Sequence, residues 1–234
     1  GYKRNPEFSL RVVEAAAMAG AEAVVLCDTN GGSLPPDVEE AVAAVVSHID
    51  AHVGIHLHND TGCGIANALA AVRAGATQVQ GTINGYGERV GNCDLVPIMA
   101  NLELKMGITC LPEGRLEHLT SVAHHVAELV NFSVDPQQPY VGATAFAHKA
   151  GLHTSALSRA SDAYEHVAPE RVGNGTRVLV SEMAGRSTLE MKAERLGIEL
   201  DGKALGEVVD TLKMLEHAGY HFEAADASLE LLMR

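Results

Sequence analysis

A chain of 234 residues can bury a sizeable core as one large domain or two smaller ones, and 47% hydrophobic with 20% charged residues describes a globular protein rather than a disordered one. The formal net charge of -13 argues against nucleic acid or an anionic membrane as the main partner, since both select basic patches; an anionic substrate would need a local positive centre, which a metal can supply. No apolar run approaches the roughly 20 residues of a membrane span and no basic-plus-apolar leader is visible, so the expectation is a soluble, cytoplasmic protein.

Residues 6–19 read as a helix, with Leu10, Val13 and Ala17 on one stripe and Gly20 as its stop. A short apolar strand, Val24-Val25-Leu26-Cys27, follows and turns polar at Asp28-Thr29-Asn30. Pro35-Pro36-Asp37 opens a second helix carrying Val38, Val42, Val45, Val46 and Ile49. Next comes Val53-Gly54-Ile55-His56-Leu57-His58-Asn59-Asp60, whose period-two alternation predicts a strand with one greasy face and one ending in two imidazoles about 6–7 Å apart. Two neutral imidazoles so placed can begin a divalent metal site, although a bare His-x-His is more often a pair of ordinary core or surface residues. A third helix with Ile65, Leu69 and Val72 leads to a strand at 78–83. That strand runs out into Asn84-Gly85-Tyr86-Gly87-Glu88-Arg89-Val90-Gly91-Asn92.

Strand and helix therefore alternate three times, which predicts a parallel sheet, either doubly wound or closed into a barrel. All three strands place polar residues at their carboxyl ends, where both architectures build active sites. Beyond Asp94 the segments 95–106, 116–130, 187–196 and 204–217 read as helices, and 142–158 is rich in small residues and carries His148 and His153. The expected division is a barrel-like part over residues 1–110 and a mainly helical part over 111–234. An eight-stranded barrel needs about 250 residues. With three units visible, the chain is either a small open α/β domain or the last three βα units of a (β/α)8 (TIM) barrel with a helical accessory domain. Cys27, Cys63, Cys93 and Cys110 contain no Cys-x-x-Cys pair and read as small reduced core residues.

Three motifs in this order, His56-Leu57-His58-Asn59-Asp60, the stretch from Gly81 to Asn92, and Phe146-Ala147-His148-Lys149-Ala150-Gly151-Leu152-His153, resemble the 2-isopropylmalate, homocitrate and citramalate synthases. These are metal-dependent barrel acyltransferases that join acetyl-CoA to a 2-oxo acid. Tyr86 and Val90, with the stretch from Leu102 to Gly107, look most like the citramalate synthases, which act on pyruvate in isoleucine biosynthesis. The resemblance implies that His56 and His58 ligate a divalent ion (Mn, Mg or Zn) and that Asn92 lies at or near it. It implies that Thr29 hydrogen-bonds the 2-oxo acid carboxylate, and that His153 is a catalytic histidine reaching over the barrel mouth of a partner subunit in a homodimer. Tyr164 lies near the position of an active-site tyrosine.

The family's first strand bears an Arg and an Asp that is the third protein ligand, and a later strand bears a catalytic Glu. None of these matches a position here, and Gly1-Tyr2-Lys3-Arg4-Asn5-Pro6 matches the loop after the family's fifth strand. The chain therefore reads as an internal fragment, inactive by itself and prone to associate through exposed sheet edges. Other readings are a 2-isopropylmalate or homocitrate synthase, an HMG-CoA lyase-like lyase or aldolase, or an amidohydrolase. Simpler roles also stand beside the functional ones: Thr29 as a turn residue, Asn92 as the cap of the helix after it, Glu88-Arg89 as a structural pair, His148 packed under His153, His124 and His125 solvated, and Asp60 orienting a histidine or capping the next helix.

Overall fold

The computed structural model describes residues 1–148, 165–178, 186–222 and 225–234. They form two compact units, Gly1–Val134 and Asp135–Arg234.

In the first unit, α1 (Pro6–Met18) begins where the Asn5 side chain accepts the Phe8 N–H at 3.0 Å and Pro6 supplies a pre-set φ at the first turn. Strand β1 (Ala23–Asp28), helix α2 (Pro35–His48), strand β2 (His52–Leu57), helix α3 (Gly64–Arg73) and strand β3 (Gln78–Gln80) follow in turn, then α4 (Leu95–Lys105) and α5 (Leu119–Val130). The strands pair in parallel and in sequence order, β1-β2-β3, with a helix after each. This is the arrangement of consecutive units in a (β/α)8 wall.

Val53, Ile55 and Leu57, buried to 2%, 3% and 0% exposure, carry the greasy face of β2 into a core with Val38, Val42 and Val45 of α2 and Ala68 and Ala71 of α3. The alternating pattern of β2 thus becomes a helix-facing side and a site-facing side. Replacing Leu57 with Ala should destabilise the first unit by about 2–5 kcal/mol, because the void left between sheet and helices cannot collapse. A urea midpoint unchanged from wild type would contradict this placement.

β3 is shorter than the 78–83 expected. After Gln80 the chain leaves the ladder, Thr82 bridges to Asp94, and residues Ile83–Gly85 form a 3-10 turn with Asn84 left-handed. The first unit also extends past residue 110. Asn84 Nδ2 donates to the Ala123 carbonyl of α5 at 2.8 Å, and the Tyr86 and Phe132 rings sit 5.6 Å apart, so α5 belongs with the strand-end loops. Among the four cysteines, Cys93 alone is fully buried, while Cys27 and Cys110 are exposed, contrary to the expectation of core thiols. Cys27 is exposed because its strand partner in the ladder is His56, which puts it on the site-facing side of the sheet.

The second unit has a two-residue parallel pair, β4 (Ala147–His148) with β5 (Arg177–Val178), then α6 (Arg186–Leu196), α7 (Gly202–His217) and α8 (Asp226–Met233). The three helices close on Leu189, Leu205, Leu212 and Leu229. Neither the strand pair nor α8 was legible in the sequence: a two-residue strand shows no period, and α8 is only two turns long. No helix among the described residues is long and apolar enough to cross a membrane.

Candidate active site at the strand ends

In a parallel pair, residues in register share a face of the sheet. Cys27 of β1, His56 of β2 and Gln80 of β3 are in register and form one row; the row before it is Val25, Gly54 and Gln78. The face ends in His58 and the loops that follow each strand. Gly54 is small for a reason: a Cβ there would press on Gln78 and Val25 from either side. Cys27 and Gln80 share the row of His56, and reading single strands could not have singled them out. Only the register does.

At the carboxyl end of β2 the rings of His56 and His58 lie 5.6 Å apart, edge to face, close to the spacing the strand rise implies. Asn92 arrives from the glycine loop. Its side-chain amide nitrogen sits 3.3 Å from His56 Nε2, and its backbone bridges antiparallel to His58. Asn92 does not cap α4; Asp94 does, accepting the Val96 N–H at 2.9 Å. His58 is nearly buried, and its Nδ1 has no hydrogen-bond partner, an expensive state for an imidazole nitrogen unless something else meets it.

Backbone hydrogen bonds zip the strand-end loops together. The His58 N–H donates to the Asp28 carbonyl at 3.3 Å and the Thr61 N–H to that of Gly31 at 3.2 Å. From the other side, the Asn59 N–H donates to the Gly91 carbonyl at 3.0 Å and the Cys93 N–H to that of Leu57 at 2.9 Å. The glycine loop closes on itself. Gly91 has φ +92°, and a Cβ there would be driven into the Gly85 carbonyl oxygen; a Cβ on Gly87 would strike the Asn92 side chain. These glycines allow the loop to fold around Asn92.

Thr29 is exposed at the end of β1. A cavity of about 770 Å³ beside β1, α1 and α2 reaches it, but His56, His58 and Asn92 are not on its walls, so that cavity is not the histidine corner. Among the described residues the Asp60 side chain makes no hydrogen bond to a histidine, and it does not cap α3. Asn59 meets the start of α3, accepting the Gly64 N–H at 2.9 Å, and Asp60 instead forms a two-pronged pair with Arg89 at 2.7 and 2.9 Å. Arg89 keeps the expected structural pair with Glu88, at 3.9 Å, but its shorter and two-pronged contact is 29 residues distant. Hydrogen bonding from the Arg89 guanidinium holds the Asp60 carboxyl below the usual carboxylate range.

In the second unit His148 is mostly buried, with Nε2 3.7 Å from Glu165 Oε1, and the Thr176 hydroxyl donates to the same oxygen at 2.5 Å. His166 packs between Tyr140 and Phe146. His124 and His125 are exposed on α5. His153 and Tyr164 lie outside the described residues.

Residues 2–126 match the HMGL-like family, and residues 140–219 match a homocitrate synthase post-HMGL domain-like family. The chain belongs to the HMGL-like family. Over its whole length it is 56% identical to an (R)-citramalate synthase of Streptomyces coelicolor and 52% identical to one of Aquifex aeolicus, covering 44% and 45% of those proteins. It is 33% identical to a homocitrate synthase of Methanopyrus kandleri, 58% of which it covers. The chain thus spans about half the length of the curated relatives it matches. Among solved structures it is similar to an HMG-CoA lyase of Bacillus subtilis, at 28% identity and a TM-score of 0.48, over 55% of this chain and 44% of that one.

HMGL-like synthases generally depend on a divalent metal. Among the described residues no three His, Cys, Asp or Glu side chains cluster closely enough to hold an ion. At the histidine corner, two donors nevertheless stand at the spacing of neighbouring ligands. Donors at right angles on an ion, each about 2.1 Å away, stand about 3 Å apart, and His56 Nε2 and the Asn92 amide stand 3.3 Å apart. Turning that amide over would offer its oxygen to an ion. The unpartnered His58 nitrogen lies at the same strand end.

Thiol chemistry separates the cysteines. Burial pushes the Cys93 thiol up to about 11, so its reactive thiolate is scarce at pH 8. Alkylation at pH 8 should modify exposed Cys27 while sparing Cys93 until the fold opens, as peptide mass spectrometry would reveal. Equal labelling of the two in the native state would contradict the buried position of Cys93.

Proposed function

We propose that this chain is part of an enzyme that condenses acetyl-CoA with pyruvate and hydrolyses the thioester, giving citramalate and free CoA. The convergence of His56, His58 and Asn92 at the end of β2 carries the reading. It is supported by 45–56% identity to five curated (R)-citramalate synthases along essentially the whole chain, two of which are described above.

His56, His58 and Asn92 would hold a divalent ion, with positions left open because the site is not a closed set of four protein ligands. When bound, such an ion supplies Lewis-acid polarisation of the 2-oxo acid's ketone and relieves the charge that develops on its oxygen. Thr29, exposed at the neighbouring strand end, would bind and orient the pyruvate carboxylate. Cys27 and Gln80, in the row of His56, would border the same space.

Forming the new carbon–carbon bond requires removing one methyl proton of acetyl-CoA. That methyl carbon then adds to the ketone carbon of pyruvate, and the ketone oxygen takes a proton. His153 would accept the methyl proton as general base, a task for which an imidazole titrating near neutrality is suited, and Tyr164 would assist nearby. Water then cleaves the thioester, leaving a carboxylate and the CoA thiol. The enzyme would act as a homodimer.

In the full-length enzyme, His56→Ala should abolish metal-dependent release of CoA thiol from acetyl-CoA with pyruvate and lower the bound metal. Undiminished thiol release with normal metal content would sink the ligand assignment. Replacing pyruvate by 2-oxoisovalerate tests the substrate: equal or faster thiol release with the branched acid would reassign the chain as an isopropylmalate synthase.

A further inference from the structure

Three loops bring the proposed site together, one after each strand, and one side chain touches all three. Arg89 sits in the glycine loop after β3, three residues before Asn92. Its Nε donates to one oxygen of Asp60 at 2.7 Å and a terminal nitrogen donates to the other at 2.9 Å. The same terminal nitrogen donates to the Thr29 backbone carbonyl at 2.8 Å. Asp60 lies two residues beyond His58. A single guanidinium thus links the loop bearing Thr29, the loop leaving His58 and the loop bearing Asn92.

Two further observations set this contact apart from an ordinary surface pair. Arg89 has φ +58°, a left-handed backbone conformation that a long side chain seldom adopts and that the loop's other contacts must sustain. Gly31, on the loop after β1, is packed so closely on Asp60 that a Cβ there would meet its carboxylate and backbone, so Asp60 is wedged between the first loop and Arg89. The geometry is a planar fork on a carboxylate, with the second N–H of the same terminal nitrogen on a carbonyl. Lysine, a single point of charge, cannot reproduce it.

We propose that Arg89 is a positioning residue for this site: through Asp60 and the Thr29 carbonyl it holds His58, Asn92 and Thr29 in the one arrangement that receives the metal and the 2-oxo acid carboxylate. This rests on the metal and substrate reading given above. It touches neither substrate nor ion. The pair is partly exposed, with 43% of the Arg89 side chain and 26% of that of Asp60 accessible, so its contribution to global stability is small. Its effect falls on the geometry of the site, where partners that orient ligands typically change metal affinity by about 10–100-fold.

The test uses the full-length enzyme with Arg89→Ala, Arg89→Lys, Asp60→Asn and the Arg89→Ala/Asp60→Asn double variant. Mn2+ alone is titrated by calorimetry, and steady-state KM is measured for pyruvate and acetyl-CoA separately. Each variant should keep the wild-type Tm within about 2 °C, as expected for a surface pair, yet bind Mn2+ about 10-fold or more weakly. KM should rise for pyruvate while that for acetyl-CoA stays put. Arg89→Lys should not rescue, and the double variant should be no worse than either single one, because both remove one linkage.

Mn2+ affinity and pyruvate KM at wild-type values would overturn the proposal, as would a large fall in Tm with the Mn2+ affinity unchanged, which would make the clasp purely structural. Failure of the functional reading looks different. A wild-type enzyme that binds Mn2+, loses that binding in the Arg89 variants, and releases no thiol from acetyl-CoA with any 2-oxo acid would keep the clasp and discard the condensation.

Discussion

Everything in the first unit depends on the parallel register of three short strands. Because Cys27, His56 and Gln80 lie opposite one another, the three strands share their faces, with Leu26, Ile55 and Val79 in one row on the helix side and Cys27, His56 and Gln80 in one row on the other. A one-residue slip of β2 would drive His56 and His58 among the helices and turn Val53, Ile55 and Leu57 outward. The buried side prevents that, since those three residues are almost fully removed from water against α2 and α3. The hydrophobic core and the histidine corner are therefore consequences of a single constraint.

The register delivers side chains to the strand ends, but the loops decide what meets them. Here the chain uses backbone more than side chain. Hydrogen bonds from the residues just past β2 to the first loop on one side and the third on the other make the carboxyl ends of the sheet a continuous hydrogen-bonded rim. The glycine loop reaches the rim because Gly87 and Gly91 leave room for their own neighbours, and Asn84 anchors it outward to α5. Arg89 then ties the rim with charge. The result is a corner at which His58, Asn92 and Thr29 stand on three loops that are hydrogen-bonded to one another.

Much of this was legible in advance. The three strands and the helices between them followed from alternation and helical spacing, with ends correct to within a few residues except at β3, where departure into a tight turn carries no hydrophobic signature. His56 and His58 followed from period two. The partner of Asp60 was not legible, because an aspartate two residues beyond a histidine has several local uses, and the one realised is with an arginine 29 residues away. The cysteines misled for a related reason: an apolar neighbourhood in sequence says nothing about which side of a sheet a residue occupies.

By itself, the sequence determined the periodicities, and through them the kind of element and the pairing of unlike faces, since these depend on neighbours two to four residues away. Its three motifs also determined the family, because residue types and spacing are one-dimensional properties. Only the tertiary structure decided that Asn92 faces His56 while Asp94 caps α4, that Cys27 shares a row with the first histidine, and that Arg89 clasps Asp60 and Thr29. Each is a contact across strands or loops, where the partner is selected by register and loop closure rather than by distance along the chain.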